Sequence, residues 1–557
     1  MKQPWWKKAT VYQIYPKSFY DTTGNGEGDL LGIIRKLDYL SELGIDVLWL
    51  TPIYESPQND NGYDISDYYQ IYKPYGTMED FQLLLQEAHK RDIKLIMDIV
   101  VNHTSTEHPW FKQARASKDN RYRDFYIWKD PSPDGTAPNN WRSKFGGSAW
   151  EFDELTGQYY LHLFDVTQAD LNWENDQLRH EVYKMMHYWF EKGVDGFRLD
   201  VINLASKDQR FPNDPTGDGR KFYTDGPRIH EFLQEANQEV FAKYEAMTVG
   251  EMSSTSIEDC ILYTNPERHE LSMTFNFHHL KVDYDQGDKW TLADFDFIKL
   301  KEILSTWQTE MHRGGGWNAL FWCNHDQPRI VSRFGDDKKY WKQSAKMLAT
   351  TIHMMQGTPY IYQGEEIGMT NPGFQQIEDY RDVESLNAYE IMKEKGYSEE
   401  RILAILQEKS RDNSRTPVQW NNKPNAGFTS GTPWISVASN YKEINVENAL
   451  HDKDSIFYHY QKLIQLRRNY DIITDGDYQL ILGDHPEIFA YARNGKNEKL
   501  MIINNFYDKE TCFELPKEID IEEYDIQILL SNYPDSSKHM NRLQLRPYES
   551  IIFHLKK

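Results

Sequence analysis

The sequence predicts an α/β protein: a (β/α)8, or TIM, barrel with a subdomain inserted after its third strand and an antiparallel β domain at the C-terminal end. Three features of the 557-residue chain point there. Short, near-continuous apolar runs recur eight times, as strands buried on both faces require. Longer helical patterns separate them. Acidic residues gather where the runs end, and that end of a barrel is where active sites are built.

In chain order the runs are VYQIYP (11–16), DVLWLTP (46–52), KLIMDIVV (94–101), GVDGFRLD (193–200), MTVGE (247–251), LSMTFNF (271–277), NALFWCNHD (318–326) and TPYIYQGEE (358–366). The clearest helical pattern spans 340–356. Its Trp341, Ala345, Leu348, Ala349, Ile352 and Met355 share one face, and Gly357 stands at the expected C-terminal cap. Two gaps are too long for plain connections. Residues 104–173, rich in Asn, Pro, Gly and Trp, form the expected inserted subdomain; about 371–453 form a lid-forming insertion. A helix over 455–468 closes the barrel, so the catalytic domain comprises 1–103 and 174–475. Beyond Asp475-Gly476, the stretches YQLIL, IFAYA, LMIINN, IQILL and SIIFHL read as short strands between turns. Residues 476–557 are therefore expected to be a separate antiparallel β domain.

Composition limits the partners. A formal net charge of −23 disfavours nucleic acid and anionic membranes. Apolar residues at 39% and aromatics at 14% suffice for a large packed core. Three scattered cysteines, Cys260, Cys323 and Cys512, make neither a disulfide framework nor a zinc pattern, and reduced thiols in the cytoplasm are expected. The N-terminal stretch has no apolar core of signal-peptide length, and the most apolar run, IKLIMDIVV, is short and carries Asp98. The expectation is a monomer or weak oligomer acting on a small molecule, with no cofactor needed for its chemistry.

Asp98, Asp200, Glu251 and Asp326 all fall at or near strand ends. Any one of them reads equally well as a solvated strand terminus. Four together, flanked by Asn102-His103, Arg198 and Asn324-His325, point to a cleft with perturbed proton affinities. Arg198 and Asp200 are two apart and so face the same way on a strand, where the guanidinium favours the ionised carboxylate. An ionised Asp, a second acid that keeps its proton and neutral donors for sugar hydroxyls are what a glycosidase needs.

DIVVNH, GFRLD, the GE at Glu251 and NHD resemble, in order, the four conserved segments of the α-amylase superfamily of retaining glycoside hydrolases. QADLNWEN (168–175) resembles a further segment in the inserted domain of that family. The resemblance covers nearly the whole chain. It implies Asp200 as nucleophile, Glu251 as general acid/base and Asp326 as a transition-state stabiliser on sugar hydroxyls. It implies a glucose subsite in which His103 and His325 bind hydroxyls, beside Arg198. Asp60 and Tyr63 would close the nonreducing end, with Arg411 paired to Asp60. A pocket closed there removes one glucose at a time. Val201, in DVIN, resembles enzymes acting on α-1,6 bonds and related small disaccharides; a barrel-packing valine is the other reading.

Longer blocks, among them GDGRKFYTDGPR (217–228) and SMTFNFHHLKVDY (272–284), resemble trehalose-6-phosphate hydrolases (phosphotrehalases) most. Oligo-1,6-glucosidases share DVIN and QGEEIGMTN but match the second block less well. The resemblance therefore implies hydrolysis of trehalose 6-phosphate to glucose and glucose 6-phosphate, with an oligo-1,6-glucosidase as the alternative. A noncatalytic, transporter-associated relative is disfavoured by the intact Asp200, Glu251 and Asp326. A phosphosugar carries about −1.5 to −2 charge near neutral pH. Local cations must outweigh the chain's own charge. The candidates are His278, His279, Lys281 and Lys289 after the sixth strand, and Arg220 and Lys221 after the fourth. Solvated surface charge or a core histidine is the competing reading of each.

DTTGNGEGD (21–29) sets oxygen-bearing residues at alternate positions around glycines. That spacing suits a structural calcium ion held by Asp21, Asn25 and Asp29 side chains, the Thr23 hydroxyl or carbonyl and the Glu27 carbonyl. It equally suits a plain glycine turn. Relatives in the resembled family often have Asn and Asp where this chain has Thr23 and Asn25, a departure that removes a carboxylate.

Overall fold

Each of the eight apolar runs contains a strand in the computed structural model, which describes residues 4–557: β1 (Val11–Ile14), β2 (Val47–Leu50), β3 (Lys94–Ile99), β4 (Gly196–Leu199), β5 (Met247–Glu251), β6 (Met273–Phe275), β7 (Ala319–Leu320) and β8 (Thr358–Tyr362). They pair in parallel in the order β6-β5-β4-β3-β2-β1-β8-β7. A parallel bridge between Thr274 and Asn318 joins the two ends and closes the ring. Every residue of β1, β2, β4 and β5 is buried, because one face fills the barrel and the other meets the helices.

The helical pattern before β8 forms Trp341–His353. It is buried all round from Ser344 to His353 rather than on one face. The reason is that it is sandwiched. Thr350 Oγ1 meets His459 Nε2 of the helix Ile456–Asn469 at 2.8 Å, and Tyr491 Oη of the C-terminal domain donates to the Thr351 carbonyl at 2.6 Å. Met354, not Gly357, caps it. Gly357 serves another purpose: its φ is +142°, and a Cβ there would lie 2.6 Å from the Asn318 carbonyl oxygen.

The inserted subdomain is stapled at its root. His103–Ser105 pairs antiparallel with Gln168–Asp170, with His103 opposite Asp170. Between them Trp128–Lys129, Gln158–Leu161 and Trp150–Asp153 form a three-stranded sheet. Trp141, Trp150 and Leu161 pack with Val201 and Leu204. The burial of these large apolar side chains holds the insertion over the end of β4.

After β8, the helices Val383–Glu394 and Glu399–Lys409 are N-capped by Asp382 and Ser398 and enclose a small core of Phe374, Tyr380, Met392, Ile402 and Leu406. At the C-terminal end, Asp477–Ile481, Ile488–Asn494, Glu498–Asn505, Ser550–Lys556 and Asp525–Ser531 form an antiparallel sheet in that order. Along its second strand the pleat sends Phe489 and Tyr491 toward the barrel core and Ile488, Ala490 and Ala492 into the domain's own core. A two-stranded sheet of Thr511–Glu514 and Arg542–Leu545 covers that core. Its alternating polar and apolar residues are too short a pattern for the sequence reading to find. Cys260, Cys323 and Cys512 are free thiols.

Candidate active site

Arg198 on β4 is the register partner of Asp98 on β3, so the two side chains leave neighbouring strands on the same side. Nη1 of Arg198 donates to Asp98 Oδ1 at 2.8 Å and to Asp200 Oδ1 at 2.6 Å; Nη2 donates to Glu251 Oε2 at 2.5 Å. The other oxygen of Asp98 accepts from Tyr63 Oη at 2.9 Å and Trp49 Nε1 at 3.2 Å. Asp98 is thus spent on orienting its neighbours. Val201, directly after Asp200, has a φ of +36°, a conformation that β-branched residues rarely adopt. The strained turn places the Val201 N–H 3.3 Å from Glu251 Oε2, and strain of this kind is kept where function needs it.

Three buried carboxylates share this one guanidinium. Burial raises Asp98 to about 6, Asp200 to about 7 and Glu251 to about 8, with Arg198 opposing each rise. The charges of Asp200 and Asp326 push Glu251 further. Glu251 is therefore the last of the three to release its proton. Asp326 goes the other way. Burial opposes its ionisation, but the cations Arg411, Arg415 and Arg198 outweigh burial and hold it far below the carboxylate range. Its Oδ1 accepts from Arg415 Nη2 at 2.7 Å and from Arg411 Nη1 at 3.4 Å.

His325 is fully buried, and burial pushes it down to about 3, so the ring is neutral. Gln13 Nε2 donates to its Nδ1 at 2.7 Å. The proton therefore sits on Nε2, which faces Asp326 Oδ2 at 3.3 Å. The Tyr63 ring lies parallel to it, centroids 5.1 Å apart. His103 donates from Nε2 to the Tyr63 carbonyl at 3.1 Å and accepts at Nδ1 from the Asn102 amide at 3.2 Å. Arg411 closes one end of the site. Its Nη2 donates to Asp60 Oδ1 at 2.9 Å and to Asp382 Oδ1 at 2.5 Å, while Gln168 Nε2 reaches Asp60 Oδ2 at 3.1 Å.

One cavity of about 240 Å³ brings together Asp60, Tyr63, His103, Asp200, Glu251, Asp326 and Arg411. Arg198 lies beneath it. Lys281 and Lys289 also line it, but Lys289 is paired with Glu384 at 2.6 Å. The two histidines of the FNFHHLKVDY block do not reach it. His279 is buried and donates from Nε2 to the Phe321 carbonyl at 2.8 Å, while His278 packs on Trp307 with centroids 5.3 Å apart. Burial pushes both down to about 4. His279 is a core histidine and His278 is half-buried against Trp307, because the 3₁₀ turn His278–Leu280 directs both toward the barrel wall and leaves Lys281 facing out. Lys221 pairs with Asp214 at 3.2 Å and Arg220 with Asp218 at 3.4 Å, and neither lines the cavity.

Sequence reasoning missed four contributors: Gln13, Asp382, Arg415 and Lys144, the last of which lines the cavity. Arg415 carried a faint signal, lying one helical turn beyond Arg411. The others carried none, because their partners are remote in the chain.

The glycine-rich loop is tied up in its own hydrogen bonds. Asp21 accepts from the backbone N–H groups of Thr23, Gly24 and Gly26 at 2.8 Å each. Asp29 accepts from the N–H groups of Thr22 and Gly32 at 2.7 Å, and Asn25 from that of Glu27 at 2.8 Å. Among the described residues no three His, Cys, Asp or Glu side chains converge as metal ligands. These hydrogen bonds suit the glycine turn, while the calcium reading of Asp21, Thr23, Asn25, Glu27 and Asp29 also draws on Asn, Thr and backbone oxygens and stands as a proposal for a binding test.

A family model described as "Alpha amylase, catalytic domain" matches residues 13–476. The chain belongs to the alpha-amylase family. A second model, "Alpha-amylase SusG C-terminal domain", matches residues 488–552. Among relatives within the family, trehalose-6-phosphate hydrolase of Bacillus subtilis (strain 168) is 69% identical over 554 residues, covering 100% of this chain and 99% of that protein. Oligo-1,6-glucosidase of Parageobacillus thermoglucosidasius is 55% identical over 564 residues and covers 100% of both. The crystal structure of Bacillus licheniformis trehalose-6-phosphate hydrolase superposes with a TM-score of 0.97 at 71% identity, covering 100% of both chains. Among the described residues no helix is long and apolar enough to cross a membrane.

Proposed function

We propose that the protein is a retaining glycoside hydrolase that cleaves trehalose 6-phosphate to glucose and glucose 6-phosphate. The observation that carries this reading is the pairing of Asp200 and Glu251 on the two terminal nitrogens of Arg198, in a cavity whose far end is closed by Asp60 and Arg411. Two carboxyls on adjacent prongs of one guanidinium suit the separation of about 5 Å that a covalent intermediate needs.

In the first step an Asp200 oxygen attacks the anomeric carbon of the glucose held against Asp60, Tyr63 and His103. Glu251, which keeps its proton to higher pH, gives it to the departing oxygen, and glucose 6-phosphate leaves. Water then gives a proton back to Glu251 and attacks the same carbon, the bond to Asp200 breaks, and α-glucose is released. Asp326, held ionised by Arg411 and Arg415, stabilises the oxocarbenium-like transition state through sugar hydroxyls.

The choice of a phosphosugar is supported by the 69% identity to the Bacillus subtilis hydrolase against 55% to the oligo-1,6-glucosidase, and by Lys281 at the cavity rim. A cytoplasmic setting suits three free thiols. The test is to compare kcat/KM of the purified protein on trehalose 6-phosphate, trehalose and isomaltose, and to read the anomer first released by NMR. The expected result is a strong preference for the phosphosugar with α-glucose as first product. Better turnover of isomaltose than of trehalose 6-phosphate would transfer the assignment to an oligo-1,6-glucosidase.

A further inference from the structure

The catalytic cavity has a cationic end that the sequence reading did not assemble. Lys144 Nζ donates to Ser253 Oγ at 3.0 Å, and both residues line the cavity together with Lys281. Among the described residues no carboxylate stands within ion-pair distance of Lys144 or Lys281, although Lys289 and Lys221 nearby each have one. Burial, then repulsion from Arg220 and Lys281, pushes Lys144 down to about 7. In an acidic chain, Lys144 and Lys281 line this end of the cavity without a carboxylate partner, whereas Arg220 behind them keeps Asp218 at 3.4 Å.

The loops that carry these groups are fixed to one another. Ser253 lies two residues beyond Glu251. Its N–H donates to Asn203 Oδ1 at 3.0 Å, and its carbonyl accepts from Asn203 Nδ2 at 3.1 Å. Trp141, three residues before Lys144, donates from Nε1 to the Pro212 carbonyl at 2.8 Å, and Arg142 donates from its N–H to the Asp218 carbonyl at 3.2 Å. Gly219, at a φ of +79°, lets the turn before Arg220 press on the Trp141 indole, where a Cβ would lie 2.3 Å from a ring carbon. The cluster is thus a built site on rigid supports. It adjoins the acid that protonates the leaving oxygen, so it faces the leaving sugar.

We propose that Lys144 and Ser253, flanked by Lys281, form the phosphate cradle that makes this cavity selective for a phosphorylated leaving group. The proposal rests on the phosphosugar reading above and assigns its recognition to residues other than His278 and His279. Lysine ammonium groups and a hydroxyl are suitable donors for a phosphomonoester dianion, and such charge-assisted bonds are the strong ones.

The experiment measures the ratio of kcat/KM on trehalose 6-phosphate to kcat/KM on trehalose for wild type, Lys144→Met, Lys144→Arg and Ser253→Ala. Inorganic phosphate is used in parallel as a competitive inhibitor of p-nitrophenyl α-glucoside hydrolysis. The expected result is a fall in the ratio of roughly ten- to more than a hundredfold for Lys144→Met. A smaller fall is expected for Ser253→Ala, with partial rescue by Lys144→Arg and weaker phosphate inhibition in Lys144→Met. Equal losses on both sugars, or an unaltered ratio, overturn the cradle. If Lys144→Met does not fold, Ser253→Ala and Lys144→Arg carry the same ratio test. Wild type that shows no preference for the phosphosugar overturns the functional reading itself. A wild-type preference that survives Lys144→Met overturns only the cradle.

Discussion

Glu251 Oε2 accepts a hydrogen bond from Arg198 Nη2 at 2.5 Å, and the other terminal nitrogen of the same guanidinium holds Asp200. The shared cation fixes both carboxyls in place, while the surplus of negative charge around it keeps one proton in the cluster. Division of labour follows from position. Asp200 lies beside the strained Val201 turn, and Glu251 ends β5.

Asp200→Asn and Glu251→Gln are therefore expected to fold and to lose nearly all turnover of trehalose 6-phosphate. Loss of proton donation alone costs about a hundred- to ten-thousandfold. Glu251→Gln should be hit less in the glycosylation step with a p-nitrophenyl leaving group, which departs without a proton. A folded Asp200→Asn protein with wild-type turnover would remove Asp200 from the role of nucleophile.

The proton on Glu251 also has a signature in stability. Its folded value of about 8 lies above its ordinary range because of burial, so the folded state holds a proton that the unfolded chain releases. Stability is therefore lost as pH rises from the unfolded value toward 8. Glu251→Gln removes this penalty. Its melting temperature should exceed that of wild type at pH 8 but show no comparable gain at pH 5. The same difference at both pH values would mean that the residue is not the proton holder.

Arg411 compensates Asp60 and Asp382 at once, in surroundings where all three are buried. Arg411→Ala leaves Asp60 without its cation and Asp382 with only Arg415 at 3.5 Å, and breaking a buried pair typically costs about 3–5 kcal/mol. Thermal denaturation should show a lowered melting temperature, and steady-state kinetics a raised KM. If neither moves, Arg411 does not close the glucose end.

The loop 21–29 leads to an expected lack of response. Because Asp21, Asn25 and Asp29 already accept from the loop's own N–H groups, calcium has little to gain there. Excess calcium and chelator should leave the melting temperature alike. A clear rise with calcium alone would show that the loop rearranges to bind the ion.

The barrel was legible because its signals are short in range. A strand such as GFRLD or MTVGE is set by consecutive apolar residues, and the carboxylate that ends it is carried to the catalytic face by the strand's own direction. Asp200, Glu251 and Asp326 could be named in this way, with motif resemblance to assign their roles. The glycine loop shows the limit of spacing: the same residues suit a cation or a turn, and the melting response to calcium tells which.

Tertiary structure decided the rest. FNFHHLKVDY presents two histidines and a lysine in four positions, yet one short turn buries His279 against Phe321, packs the half-buried His278 on Trp307 and leaves the lysine at the cavity. Asp382 belongs to the site because Arg411 reaches it, and Lys144 because the insertion folds back over Ser253. Charge compensation acts through a few ångströms of space between residues that are far apart in the chain, so no periodicity or local motif records it.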